Sequence, residues 1–252
     1  MSARVAVVHP DAATLARATA ARLLLRLIDG QSTRRPLHVA LTGGTVGIRT
    51  LAEVAASPLR DAVDWTGVHL WWGDERFLPT GDADRNETQA REALLDALPV
   101  PAQNVHPVPG PDRADSPEAA AEAYAADLAR YAAPAGAAQD DAGPAVPAFD
   151  VVLLGMGPDG HVASLFPGHD ALAVLDRTVV GVHGSPKPPP ERVSLTFPAL
   201  EAASEIWVVA AGAEKAEAVA RALAGDDVRS TPAAGALGRE RTLWLLDVAA
   251  AG

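Results

Sequence analysis

Residues Leu37–Ala56 read LHVALTGGTVGIRTLAEVAA, and this stretch decides the fold class. Leu37 to Leu41 is a short apolar run of strand length, Gly43 and Gly44 break it, and Val46 to Ala56 carries apolar residues at helical spacing. A buried strand that feeds a helix through a glycine turn is half of a βαβ unit.

The same alternation extends in both directions. Upstream, Val5 to Val8 reads as a short buried strand, and Asp11 opens a helix with Leu15, Leu23, Leu24 and Leu27 on one face, ended by Gly30. Downstream, Val68 to Trp72 is a third strand. Asn86 is placed to cap a helix through Leu98, and Ser116 one through Tyr131. Residues 133–148 shift to Ala, Pro, Gly and Asp without periodicity, the signature of an exposed, flexible and dispensable connector. It is not read as a domain boundary, because Phe149 to Leu154 resumes the buried-strand pattern. Ile206 to Ala210, a helix from Ala213 to Leu223 and a last strand at Thr242 to Leu246 complete the series. The expectation is one α/β domain over residues 1–252, a doubly wound, mostly parallel sheet with helices on both faces.

Composition narrows the function. Hydrophobic residues make up 48% and charged residues 21% of the 252, which suits a folded globule. A net charge of -11 argues against nucleic acid or an anionic membrane as partner, so an anionic substrate would need a local basic pocket. With no cysteine there are no disulfides, thiolate ligands or cysteine nucleophiles. The N-terminus lacks a signal peptide's long apolar region and no segment is long and apolar enough to span a membrane, so a cytoplasmic location is expected. A monomer is compatible with all of this; the sequence does not set the oligomeric state.

In doubly wound sheets ligands bind beyond the carboxyl ends of the strands, and the unusual polar clusters fall there. Gly43, Gly44 and Thr45 can turn backbone N–H groups and a helix N-terminus toward a phosphate, although an ordinary strand-to-helix turn uses the same residues. After Val68 to Trp72 comes Gly73-Asp74-Glu75-Arg76, which is either a solvated loop or a proton-handling acid beside an anion-binding arginine. Gly155-Met156-Gly157-Pro158-Asp159-Gly160-His161 matches GxGxxG formally, but Pro167 and Gly168 leave no room for the crossover helix that a dinucleotide site requires. No nicotinamide or flavin cofactor is expected. What remains is a glycine-rich strand end presenting Asp159 and His161, a carboxylate and an imidazole suited to general acid–base work or, alternatively, a structural loop histidine.

Only two lysines occur, Lys187 in PKPPPER and Lys215 in the first turn of a helix, and Arg192 closes the proline segment. Each can be surface solvation, yet Arg192 and Lys215 can also converge on one anion. No nucleophile elbow, Walker loop or zinc helix is present, and the seven histidines form no metal-ligand spacing, so no metal is expected.

Taken in order, LTGG, WWGDERFLP with RNETQARE, LLGMGPDGHVASLFPG, PKPPPERVSLT and EIWVVAAGAEKAEA resemble the 6-phosphogluconolactonases of the pentose phosphate pathway. The resemblance covers most of the chain. It implies the fold of the glucosamine-6-phosphate isomerases and hydrolysis of a small phosphorylated sugar lactone without cofactor. It further implies that Gly43, Gly44, Thr45, Arg192 and Lys215 contact phosphate, that Arg76, Asn86 and Lys187 line the site, and that His161 is the acid–base residue with Asp159 beside it and Asp74 facing the sugar. Two alternatives carry forward, a sister isomerase/deaminase and a non-catalytic sugar-phosphate sensor. The isomerases have an Asn-Glu pair shortly after their Gly-His, where this chain continues Ser164-Leu165-Phe166-Pro167.

Overall fold

A computed structural model describes residues 3–132 and 144–252. Six strands form one parallel sheet: β1 (Ala3–His9), β2 (Leu37–Leu41), β3 (Val68–Trp72), β5 (Val151–Gly155), β8 (Glu205–Ala210) and β9 (Arg241–Asp247), in the order β1-β9-β8-β5-β2-β3. Every residue of β2, β3 and β8 is buried. A strand with both of its alternating faces buried must be covered on both sides, which is why these segments read as continuous apolar runs. Trp71, Trp72, Trp207 and Trp244 are the largest fully buried side chains, all on strands. Among the described residues no helix is long and apolar enough to cross a membrane.

The α-helices among the described residues are α1 (Ala12–Gln31), α2 (Thr45–Ala56), α3 (Asn86–Ala93), α4 (Pro117–Arg130), α5 (Phe197–Glu201), α6 (Ala216–Leu223) and α7 (Val248–Ala251). Asp11 caps α1, accepting from the Thr14 N–H at 2.7 Å, and Ser116 caps α4 by accepting from the Ala119 N–H at 3.2 Å.

Four local expectations are corrected. The first strand is not buried throughout: β1 is an edge strand paired with β9 alone, and Val5 and Val8 are exposed. Gly30 does not end α1 but lies inside it, where a Cβ would stand 2.9 Å from Leu37 Cδ1, so its smallness permits close packing on β2. Asn86 does not cap α3: Arg85 holds that position, and α3 stops at Ala93 with a 3-10 turn at Leu95–Ala97 instead of running to Leu98. The helix expected from Ala213 begins with a 3-10 turn, Ala213–Lys215, before α6.

The sequence reading also missed a second sheet. β4 (Asp74–Arg76), β6 (Val179–Val182) and β7 (Arg192–Leu195) form an antiparallel sheet in the order β4-β7-β6. Strands of three or four residues are too short to show a legible period. Most of the expected connector, residues 133–143, lies outside the described residues. Its far end is not loose, since Val146 is buried and Pro147 bridges to Ala132.

Candidate active site

The chain passes from β2 to β3 on one side and returns with β5 on the other, so β2 and β5 flank a topological switch point. At their carboxyl ends the Gly155 N–H donates to Thr42 Oγ1 at 3.0 Å. Above this bond lies a cavity of about 210 Å³ lined by Thr42, Gly43, Gly44, Thr45, Asp74, Arg76, Asn86, Gly157, His161, Lys187, Arg192 and Lys215, among others. All the expected site residues except Asp159 reach it. A larger hollow of about 740 Å³ between α4 and β6 gathers no comparable set of chemical groups, and it borders Pro144 at the edge of the described chain.

The two glycines of the first turn differ in purpose. Gly44 has φ of 79° and meets nothing within 4 Å, so its role is conformational. Gly43 allows close approach: a Cβ there would sit 1.8 Å from Asn86 Oδ1. No side chain caps the start of α2, so the first N–H groups of that helix remain unsatisfied at the cavity wall. Such a terminus favours an anion.

β4 explains why Asp74, Glu75 and Arg76 divide their tasks. Alternation sends Asp74 and Arg76 toward the cavity and Glu75 to the opposite face. There the Glu75 carboxylate accepts from the Asn86 and Glu87 N–H groups at 2.7 and 2.8 Å, serving as the N-cap of α3 from another element. This frees the Asn86 side chain for the site. Its Nδ2 donates to the Asp74 carbonyl at 2.8 Å and its Oδ1 accepts from Arg76 Nη1. The end of β3 is fixed by Tyr124 of α4, whose hydroxyl accepts from the Trp72 N–H and donates to the Trp72 carbonyl.

His161 and Asp159 form a pair two residues apart, with Asp159 Oδ1 2.5 Å from His161 Nδ1. Burial alone would raise the Asp159 pKa, but the hydrogen bonds and charge of His161, with Lys187 nearby, overcome it and hold the carboxyl at about 2. With Nδ1 engaged by a carboxylate, Nε2 is the nitrogen left to accept a proton. The ring tilts against Phe166 at 4.6 Å, and Gly157 makes room for it, since a Cβ there would lie 2.1 Å from His161 Cε1. After Gly160 the chain makes bridges at Val162 and then a 3-10 turn at Asp170–Ala173.

Four cations, Arg76, Lys187, Arg192 and Lys215, line a cavity containing one carboxylate, Asp74, in a chain of net charge -11. The chain's two lysines are thus both at the site. Burial pushes the Lys215 ammonium below its usual pKa, Lys187 adds to this, and Glu214 and Asp247 oppose it. Arg192 lines the cavity and also binds its own loop. Its Nε donates to the Pro189 carbonyl and its Nη2 to the carbonyls of Lys187 and Pro188, all at 3.2 Å, and its Nη1 lies 3.9 Å from Asp74 Oδ2. Those bonds organise the proline loop that carries Lys187.

Thr42, Gly157 and Ser164 were not singled out from the sequence. Thr42 and Gly157 lie inside motifs that were, but their roles, a bridge between strands and space for an imidazole, appear only once distant segments meet.

The profile of the glucosamine-6-phosphate isomerases/6-phosphogluconolactonase family matches residues 10–244. The 6-phosphogluconolactonase of Streptomyces coelicolor is 56% identical over 248 residues, spanning 97% of this chain and 92% of that protein. The 6-phosphogluconolactonase of Mycobacterium leprae is 46% identical over 253 residues, 100% of this chain and 98% of that one. The solved structure of 6-phosphogluconolactonase from Trypanosoma brucei superposes with a TM-score of 0.84 at 32% identity, covering 100% of this chain and 98% of that one. Sequence, fold and the converging motifs agree: the chain belongs to the glucosamine-6-phosphate isomerase/6-phosphogluconolactonase family.

Proposed function

We propose that the protein hydrolyses 6-phospho-D-glucono-1,5-lactone to 6-phosphogluconate in the cytoplasm, as a step of the oxidative pentose phosphate pathway. The observation that carries this reading is the His161–Asp159 pair at the edge of a cavity lined by four cations. The substrate phosphate would lie against the start of α2 and Lys215, with Lys187 and Arg76 as further positive charge.

His161 Nε2 takes a proton from a water as that water attacks the lactone carbonyl carbon. The tetrahedral intermediate then collapses, the ring C–O bond breaks, and the imidazolium returns the proton to the departing ring oxygen. Asp159 holds the ring in the required tautomer and stabilises its charged form. No covalent enzyme intermediate is needed, because a δ-lactone is already an activated ester. Against the isomerase alternative stands Ser164, which occupies the segment where an assisting glutamate would be needed.

The test is hydrolysis of freshly generated 6-phosphogluconolactone, measured against spontaneous hydrolysis at the same pH. Enzyme-dependent turnover is expected. No rate above the enzyme-free control would overturn the reading, and ammonia release from glucosamine 6-phosphate would replace it with the isomerase.

A further inference from the structure

Ala163 has φ of 49°, the one non-glycine residue in the left-handed region among the described residues. For an alanine this conformation costs about 1–2 kcal/mol and persists only where the surroundings impose it. Here it turns the chain between His161, at the cavity, and Ser164, which is fully buried. Val162 closes the turn with bridges to Met156 and Leu165.

The buried serine has one assigned direction. Its hydroxyl donates to Asp74 Oδ2 at 2.6 Å, while its backbone N–H donates to Ser194 Oγ at 3.2 Å. The Ser194 hydroxyl proton is committed to the Leu195 carbonyl at 2.9 Å, and Ser194 faces Asp74 across the β4–β7 ladder. Asp74 Oδ2 therefore belongs to the protein, with Arg192 Nη1 at 3.9 Å as its nearest cation. Asp74 Oδ1 has only a long contact, Asn86 Nδ2 at 3.5 Å, and so retains the capacity to accept a further hydrogen bond.

We propose that Ser164 is a positioning residue that holds Asp74 with Oδ2 engaged and Oδ1 presented to a hydroxyl of the bound sugar phosphate. The left-handed turn at Ala163 mounts this device on the loop that carries His161, so the group orienting the sugar and the group moving the proton share one rigid support. Without the serine hydroxyl, Asp74 is free to rotate toward Arg192 and withdraw from the sugar. The inference rests on the lactonase reading.

The experiment is a double-mutant cycle on the full chain with wild type, Ser164→Ala, Asp74→Asn and the double variant. Values of kcat and KM are corrected for spontaneous hydrolysis, and thermal unfolding is followed in parallel. Ser164→Ala is expected to lower kcat/KM by about 10- to 100-fold, to lower it less than about twofold further in the Asp74→Asn background, and to be partly rescued by Ser164→Thr. If Ser164→Ala does not fold, Ser164→Cys keeps the volume with a poor donor and completes the same cycle. Losses that multiply in the double variant, or a Ser164→Ala enzyme with wild-type kcat/KM, overturn the proposal while the lactonase reading stands. A wild type without lactonase activity overturns both.

Discussion

Asp159 Oδ1 lies 2.5 Å from His161 Nδ1, and the two residues are separated by Gly160 alone, whose φ of 85° folds the chain so that a carboxylate meets the ring two positions later. His161→Ala should reduce kcat by ~10²- to 10⁴-fold with little change in KM. Asp159→Asn should act in the same direction, because an amide N–H facing Nδ1 would place the imidazole proton on Nε2 and remove the base. A variant at 161 with near-wild-type kcat would make the histidine structural and leave Asp74 as the leading base.

The adjacent glycines should respond differently to the same substitution. Gly43→Ala drives a Cβ to 1.8 Å from Asn86 Oδ1 and must displace the amide that binds Arg76, so kcat/KM should fall by more than about tenfold, with overpacking of roughly 1–3 kcal/mol in unfolding free energy. Gly44→Ala meets no atom but is strained at φ of 79°, costing about 1–2 kcal/mol. Paired denaturation curves and kinetics separate the two; equal behaviour would refute the distinction.

Lys215→Ala should raise KM more than it lowers kcat, as expected for a phosphate held equally in ground and transition states. Arg192→Ala should lower kcat as well, since its loss releases the carbonyls of Lys187, Pro188 and Pro189 and removes the cation nearest Asp74. A pure KM effect at Arg192 would instead return it to the set of phosphate ligands.

His38 of β2 and His69 and Trp71 of β3 cluster with His106 and Tyr131, the His106 ring stacked on both His69 and Trp71. Burial, with His69, His106 and Arg34 adding, drives the His38 pKa from 6.5 down to about 3, and His69 and His106 are also lowered, chiefly by burial. These three imidazoles thus bind fewer protons in the folded protein than in the unfolded chain between these values, whereas Glu75, raised by burial from 4.5 to about 7, binds more. The stability that the imidazoles contribute should be full above pH 6.5 and be lost as pH falls toward 3. Urea unfolding midpoints compared across this range between wild type and a His38 variant should show this decline. His38→Gln, which can still accept from the Trp71 indole N–H, should flatten it.

Ala163→Gly should relieve the left-handed strain, yet glycine also enlarges the unfolded ensemble, so stability should change by no more than about 1 kcal/mol. Activity should not improve, because Ser164 and the bridges at Val162 already fix the turn. A large loss of activity with unchanged stability would mean that the alanine methyl itself touches substrate.

The long apolar segments are legible in the sequence: β2, β3, β5, β8 and β9 are apolar runs of strand length and the helices α1, α2 and α4 repeat burial at a period of 3.6, signals that each segment carries on its own. The motifs at the strand ends were legible for the same reason, since a parallel sheet obliges its connecting loops to converge. The family resemblance named the residues of the cavity, and the fold brings ten of those eleven to its wall. Tertiary structure alone decided how they divide the work. Glu75 caps α3 and so frees Asn86, Arg192 spends its donors on a proline loop, and Ser164 meets Asp74 across ninety positions of chain. No local pattern encodes such contacts, because each depends on where a distant backbone segment comes to rest, and a hydrogen bond is decided by tenths of an ångström that only the packed core sets.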